Sequence, residues 1–254
     1  MRPSHLLWVT TLLGLAAAPG RAQPVSAAAP FADLATLQDK LARPAEPLTW
    51  VMTGDSITQG AKWVGRERSY PELIQERVRW EMKRRRDFFI NSGISGERVA
   101  GLRADFEWRV LRFRPDVVSI MIGMNDALEG PAGREAFGRE LREMIRLGRA
   151  AGALPILHRT NPIDPQPLDP GDTSSRQRVD LPAYNEIIAQ VAHDTNTILI
   201  DHWARWNQAK SSPAALREWL ADPIHPNGAG HRQFAAEFFR TIGHYDPAAV
   251  STQP

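Results

Sequence analysis

Ser56 stands in Gly54-Asp55-Ser56-Ile57-Thr58, directly after the apolar run Leu48 to Met52. A serine at a tight strand-to-helix turn is exposed, and the positive N-terminal end of the next helix favours negative charge developing beside it. Plain N-capping is the other use of such a serine. The glycine and lysine spacing of a phosphate-cradling loop is absent. His225 stands in Asp222-Pro223-Ile224-His225-Pro226-Asn227-Gly228. An acid three residues before a histidine, with prolines stiffening both, can bring its carboxylate to the imidazole Nδ1 and leave Nε2 to face a nucleophile. A surface turn is the alternative. Asn125, in Gly123-Met124-Asn125-Asp126, can donate to an oxyanion without bringing charge, although Asn and Asp also favour turns. In Asn91-Ser92-Gly93-Ile94-Ser95-Gly96, glycines allow a sharp turn that leaves an N–H pointing inward, or simply a loop.

These residues need a rigid frame. Five short apolar runs, Leu48 to Met52, Phe88 to Asn91, Val117 to Ile122, Leu154 to Leu157 and Ile198 to Ile200, read as strands buried on both faces. Between them lie helically spaced faces: Phe137, Leu141, Met144, Ile145 and Gly148, then Tyr184, Ile187, Ile188 and Val191, then Phe234, Phe238 and Ile242. Asp180 is placed as an N-cap, with Pro182 close behind. Strands alternating with helices predict an α/β domain: a parallel sheet with right-handed crossovers and helices on both faces. The candidate residues then fall at C-terminal strand ends or in the last loop, on the edge where open α/β sheets bind ligands. The segment Asn161 to Arg178 carries Pro162, Pro165, Pro167 and Pro170 and is long for a connection, so it reads as a lid or mobile segment.

The 254 residues are 43% apolar and 24% charged, an ordinary globular balance. Residues 1–22 combine Arg2, an apolar run Leu6 to Ala18 and small residues up to Ala22, the pattern of a cleavable signal peptide. The run is shorter than the roughly 20 residues a spanning helix needs, so secretion or periplasmic export without lasting membrane insertion is expected. Cleavage would remove Arg2 and Arg21, so the pI of 9.2 does not mark a nucleic-acid partner. Residues 23–47 read as a leader with an amphipathic stretch Asp33 to Ala42, 48–246 as the domain and 247–254 as a disordered tail. The basic run Lys83-Arg84-Arg85-Arg86 reads as a solvated helix end. The chain has no cysteine, which excludes disulfides, thiolate catalysis and Cys-based zinc sites.

Taken in order, Gly-Asp-Ser, Asn…Gly, Gly-x-Asn-Asp and Asp-x-x-His resemble the SGNH hydrolases, also called GDSL esterases, over roughly Leu48 to Gly243. The resemblance implies a flavodoxin-like three-layer sandwich with a five-stranded parallel sheet. It implies a carboxylic ester hydrolase with Ser56 as nucleophile, His225 as base and Asp222 as acid. It implies an oxyanion hole from the N–H groups of Ser56 and Gly96 and the Asn125 side chain, with Gly93 as the weaker alternative to Gly96.

Such a mechanism requires no cofactor and no metal. His-Glu-x-x-His is absent, and His5, His158, His193, His202, His231 and His244 show no metal-like spacing. The Gly-x-Ser-x-Gly elbow of α/β-hydrolases is also missing. The expected partner is a small-molecule or polysaccharide ester, and the favoured one is a short acyl group, acetyl, on carbohydrate. Export, the polar lid segment and Trp63, Trp203, Trp206 and Trp219 as stacking platforms motivate that choice. A lysophospholipase or thioesterase, a polysaccharide O-acetyltransferase and a non-catalytic binding module are the alternatives.

Overall fold

The computed structural model describes residues 32–253. The segment 1–22 expected to be a signal peptide, and the first part of the leader, lie outside the described residues. Each apolar run becomes a strand: β1 (Thr49–Gly54), β2 (Phe88–Asn91), β3 (Val117–Met121), β4 (Leu154–Arg159) and β5 (Ile198–Asp201). They form one parallel sheet in the order β2-β1-β3-β4-β5. The chain steps from β1 to one side and returns across it to β3, so the strand order reverses between those two strands. Gly54 pairs with Met121 in register, and the loops that leave β1 and β3 therefore emerge side by side. This crevice is where open α/β sheets hold ligands.

β1 is buried from Trp50 to Gly54 and β3 throughout, as continuous apolar runs require. The edge strand β2 departs from the expectation of burial on both faces. No strand among the described residues lies beyond it, and Phe88 is 61% exposed. Helices Val99–Ala104, Arg134–Ala150 and Leu181–Asp194 pack together on one face, and Tyr70–Glu76 packs with Gly228–Thr241 on the other. The leader stretch forms the helix Ala32–Leu41, whose Leu37 and Leu41 join the core.

Three local expectations are corrected. Within the basic run, Arg84 is buried rather than solvated. It pairs with Asp87 and donates to the carbonyls of Lys40, Leu41 and Glu46, while Asp87 also accepts from Trp50 Nε1. A buried guanidinium is tolerable only with such complete pairing. The end of the chain packs back as a short turn, Val250–Thr252, with Ser251 buried and bonded to Glu81, where a free tail was expected. Asp180 stands at the N-cap of Leu181–Asp194, but its carboxylate pairs with Arg134 rather than capping.

Candidate active site

The turn after β1 is tight because Gly54 permits it. Its φ is +156°, and a Cβ there would lie 2.0 Å from the Met121 carbonyl oxygen on the neighbouring strand. Asp55 then caps the short helix Ser56–Gln59, its Oδ1 accepting the Ile57 N–H at 2.9 Å. Ser56 starts this helix and is 3% exposed. Its hydroxyl lies 2.9 Å from Nε2 of His225, which arrives from the other end of the chain.

His225 is held in a compact loop. Asp222 Oδ1 accepts the N–H groups of Ile224 and His225 at 2.9 and 2.8 Å, and Oδ2 lies 2.7 Å from the imidazole Nδ1. The sequence spacing thus delivers the carboxylate to the expected nitrogen. Burial works to raise the Asp222 carboxyl, but the bonds from His225 and the two N–H groups outweigh it and hold it at about 2. Asn227 closes the loop by capping the next helix at Gly230 N and donating to the Glu218 and Leu220 carbonyls.

The loop after β2 joins the same corner. Ile94 N donates to Gly54 O at 3.1 Å, and Ser95 N to Gln59 Oε1 at 3.0 Å. The Gly93 N–H is engaged by the Asn91 side chain at 3.0 Å. Gly96, at φ +80°, donates its N–H to no protein acceptor among the described residues, and neither does Ser56. Asn125, 8% exposed, donates one Nδ2 hydrogen to Glu97 O at 3.1 Å, which sets its amide beside this loop. The geometry can pass a proton from a hydroxyl to an imidazole that a carboxylate orients, beside three N–H-bearing groups that do not bring charge.

A family model described as GDSL-like lipase/acylhydrolase matches residues 52–233. The chain belongs to this family. By sequence, an acetylxylan esterase of Geobacillus stearothermophilus is 32% identical over 161 residues, which covers 61% of this chain and 71% of the relative. An uncharacterized lipoprotein of Bacillus subtilis is 26% identical over 208 residues, covering 70% and 84%. By structure, an acetylxylan esterase from Geobacillus stearothermophilus superposes with a TM-score of 0.61 at 26% identity, covering 77% of this chain and 94% of that one. An α/β hydrolase enzyme from the Lake Arreo metagenome gives a TM-score of 0.62 at 26% identity, covering 78% and 96%. The protein is thus a carboxylic ester hydrolase of the SGNH type.

Around this GDSL-type corner stand groups that motif reading did not find. Arg178 donates to Asn125 Oδ1 and Met124 O, each at 3.0 Å. Arg109 donates to Gly54 O at 3.2 Å and Ser92 O at 2.7 Å and pairs with Glu97, tying the turn after β1 to the loop after β2. Arg109 is one of several arginines in its stretch, and nothing in its spacing distinguishes it. Asp55 and Asp126 are buried, each with an Oδ2 that finds no partner. Burial and their mutual repulsion push Asp55 up to about 7, and burial pushes Asp126 to about 7.

The segment 161–178 is anchored rather than a free lid. Asp164 N donates to Pro223 O at 2.8 Å and Asn161 Nδ2 to Ile224 O at 3.1 Å, so it braces the loop that carries His225. Of the tryptophans read as platforms, Trp206 is fully buried edge-on to Trp219, and Trp63 stacks on His225 itself. His158 and His202 are buried and bonded to each other, with Ser119 on the far side of His158.

Proposed function

We propose that this chain is an exported serine esterase that removes acetyl groups from a carbohydrate polymer or its fragments. The observation that carries the reading is the relay Ser56 Oγ to His225 Nε2 at 2.9 Å and His225 Nδ1 to Asp222 Oδ2 at 2.7 Å. Ser56 attacks the ester carbonyl while His225 takes its proton. The tetrahedral oxyanion accepts hydrogen bonds from the N–H groups of Ser56 and Gly96 and from Asn125. His225 returns the proton to the departing sugar oxygen, which leaves as the alcohol. Water then repeats the attack on the acyl-enzyme and releases acetate. Asp222 stays ionised throughout, orienting the ring and stabilising the imidazolium.

The engaged Gly93 N–H favours Gly96 as the backbone donor beside Ser56. Solved structures of the Geobacillus acetylxylan esterase include catalytic mutants of a serine, an aspartate and a histidine, the last two three positions apart. That is the spacing of Asp222 and His225 in this chain. A cavity of about 320 Å³ beside Asp222 is lined by Asp164, Asp169, Asp172 and Arg217, groups that can bond sugar hydroxyls, set among apolar residues such as Leu168 and Leu220. The apolar stretch at the N-terminus and the lipoprotein relative support an envelope or extracellular setting. The test is acetate release from acetylated xylo-oligosaccharides beside a p-nitrophenyl ester series. Acetate release, with kcat/KM falling from acetyl to octanoyl, is expected. A rate rising with chain length and no acetate from the sugar substrate would overturn the carbohydrate assignment.

A further inference from the structure

Arg178 is 7% exposed, and its guanidinium meets only neutral acceptors: Met124 O, Ser174 O and Asn125 Oδ1, each at 3.0 Å. Among the described residues no carboxylate pairs with it directly. The acids that act on it, Asp55, Asp222 and Asp172, do so from beyond contact. A buried cation left without a salt bridge is costly, and the other buried arginines among the described residues, Arg77, Arg84, Arg109 and Arg159, each pair with a carboxylate.

The contact with Asn125 has a chemical consequence. A guanidinium is a donor only, so it faces the amide oxygen. The Glu97 carbonyl is an acceptor only, so it faces the amide nitrogen at 3.1 Å. A flipped Asn125 would set N–H against guanidinium and oxygen against carbonyl, two repulsive contacts in place of two bonds. Both ends of the amide are therefore fixed, and its second Nδ2 hydrogen is left for a ligand. The cation on the carbonyl oxygen also withdraws density through the amide, which makes that remaining N–H a stronger donor. The planar fork matters, because Nε holds the Met124 backbone while Nη2 holds the next residue's side chain.

We propose that Arg178 is a positioning residue that orients and polarises Asn125 for oxyanion stabilisation, an inference resting on the role proposed above for Asn125. It adds a fixed positive charge behind the oxyanion donor and brings no additional group to the substrate.

The test is a double-mutant cycle on p-nitrophenyl acetate with Arg178→Met, Asn125→Ala and the double variant, using the full protein and checking the fold by near-UV circular dichroism. Arg178→Met is expected to lower kcat by about 10- to 100-fold with KM within about twofold, somewhat less than losing the donor itself. In the Asn125→Ala background the same change is expected to cost less than about threefold, because Arg178 acts through that amide. An equal loss in both backgrounds would overturn the proposal, since a merely structural arginine is felt whether or not the amide is present. Asn125→Ala with unchanged kcat would overturn instead the oxyanion role of Asn125, on which the proposal stands. If Arg178→Met does not fold, Arg178→Lys, which keeps charge and stem but loses the fork, is read in the same cycle against the same criterion.

Discussion

Trp63 lies face to face with His225, the ring centroids 3.7 Å apart and the planes inclined by 14°. The indole covers one face of the imidazole and leaves its edge free for Ser56 and Asp222. A tryptophan face attracts a cation by about 0.5–2 kcal/mol, so it favours the imidazolium formed during acyl transfer. Trp63→Ala is therefore expected to lower kcat by about tenfold on p-nitrophenyl acetate, which has no sugar to stack, while Trp63→Phe retains most of the rate. Steady-state kinetics of the two variants decide it. A loss confined to KM for acetylated sugars would make Trp63 a sugar platform instead.

Asp222 accepts three hydrogen bonds from its own loop, two from backbone N–H groups and one from the imidazole. Asp222→Asn presents an amide N–H or a neutral oxygen to Nδ1 and no longer fixes the productive tautomer. The expected result is a fall in kcat of about 10⁴ with the protein still folded. A fall below about tenfold, with an unchanged melting profile, would mean that another group orients His225.

Stability should depend on pH through histidines remote from the chemistry. Burial holds His158 and His231 at about 3 and His202 well below its ordinary 6.5. Tyr70 N donates to His231 Nδ1, and His158 bonds to Ser119 and His202, so the folded state keeps these rings neutral. Above pH 6.5 neither folded nor unfolded chain protonates them. As pH falls below 6.5 the unfolded chain gains their protons and the folded one does not, so stability is lost down to about pH 3. Each histidine contributes a slope of about 1.4 kcal/mol per pH unit in that window. Asp55 and Asp126, raised to about 7, act oppositely, because between 3.8 and 7 the folded state holds protons that the unfolded one has lost. Three histidines against two acids leave the low-pH side less stable. Urea midpoints at pH 7 and pH 5 should show a drop on acidification, and Asp55→Asn should steepen it. A flat profile for both proteins would contradict this account.

Period and spacing carried much of this protein. The runs of β1, β3 and β4 were legible because a strand covered on both faces has no polar position to blur the pattern, and alternation with helices implied a parallel sheet without fixing the order of its strands. Asp222 and His225 were legible because three residues of a proline-stiffened loop suffice to close their bond. The clamp of Arg178 on Asn125 was not, since the two are 53 residues apart and nothing in a polar, proline-rich segment marks one arginine as buried. Arg84 was misread for the same reason. A run of like charges looks solvated until the fold supplies Asp87 and three carbonyls around one member of it. The stacking of Trp63 on His225 joins residues 162 positions apart, and an aromatic near a site gives no sign of whether it faces ligand or protein.

The role of Ser56 is the claim on which the rest depends. Incubation with a p-nitrophenyl phosphonate, followed by proteolysis and mass spectrometry, reads it directly. Covalent phosphonylation should appear at one site, on the peptide that contains Ser56, with activity lost in proportion, and Ser56→Ala should neither label nor turn over. Labelling at another residue, or labelling retained in Ser56→Ala, would contradict the assignment of Ser56 as the nucleophile.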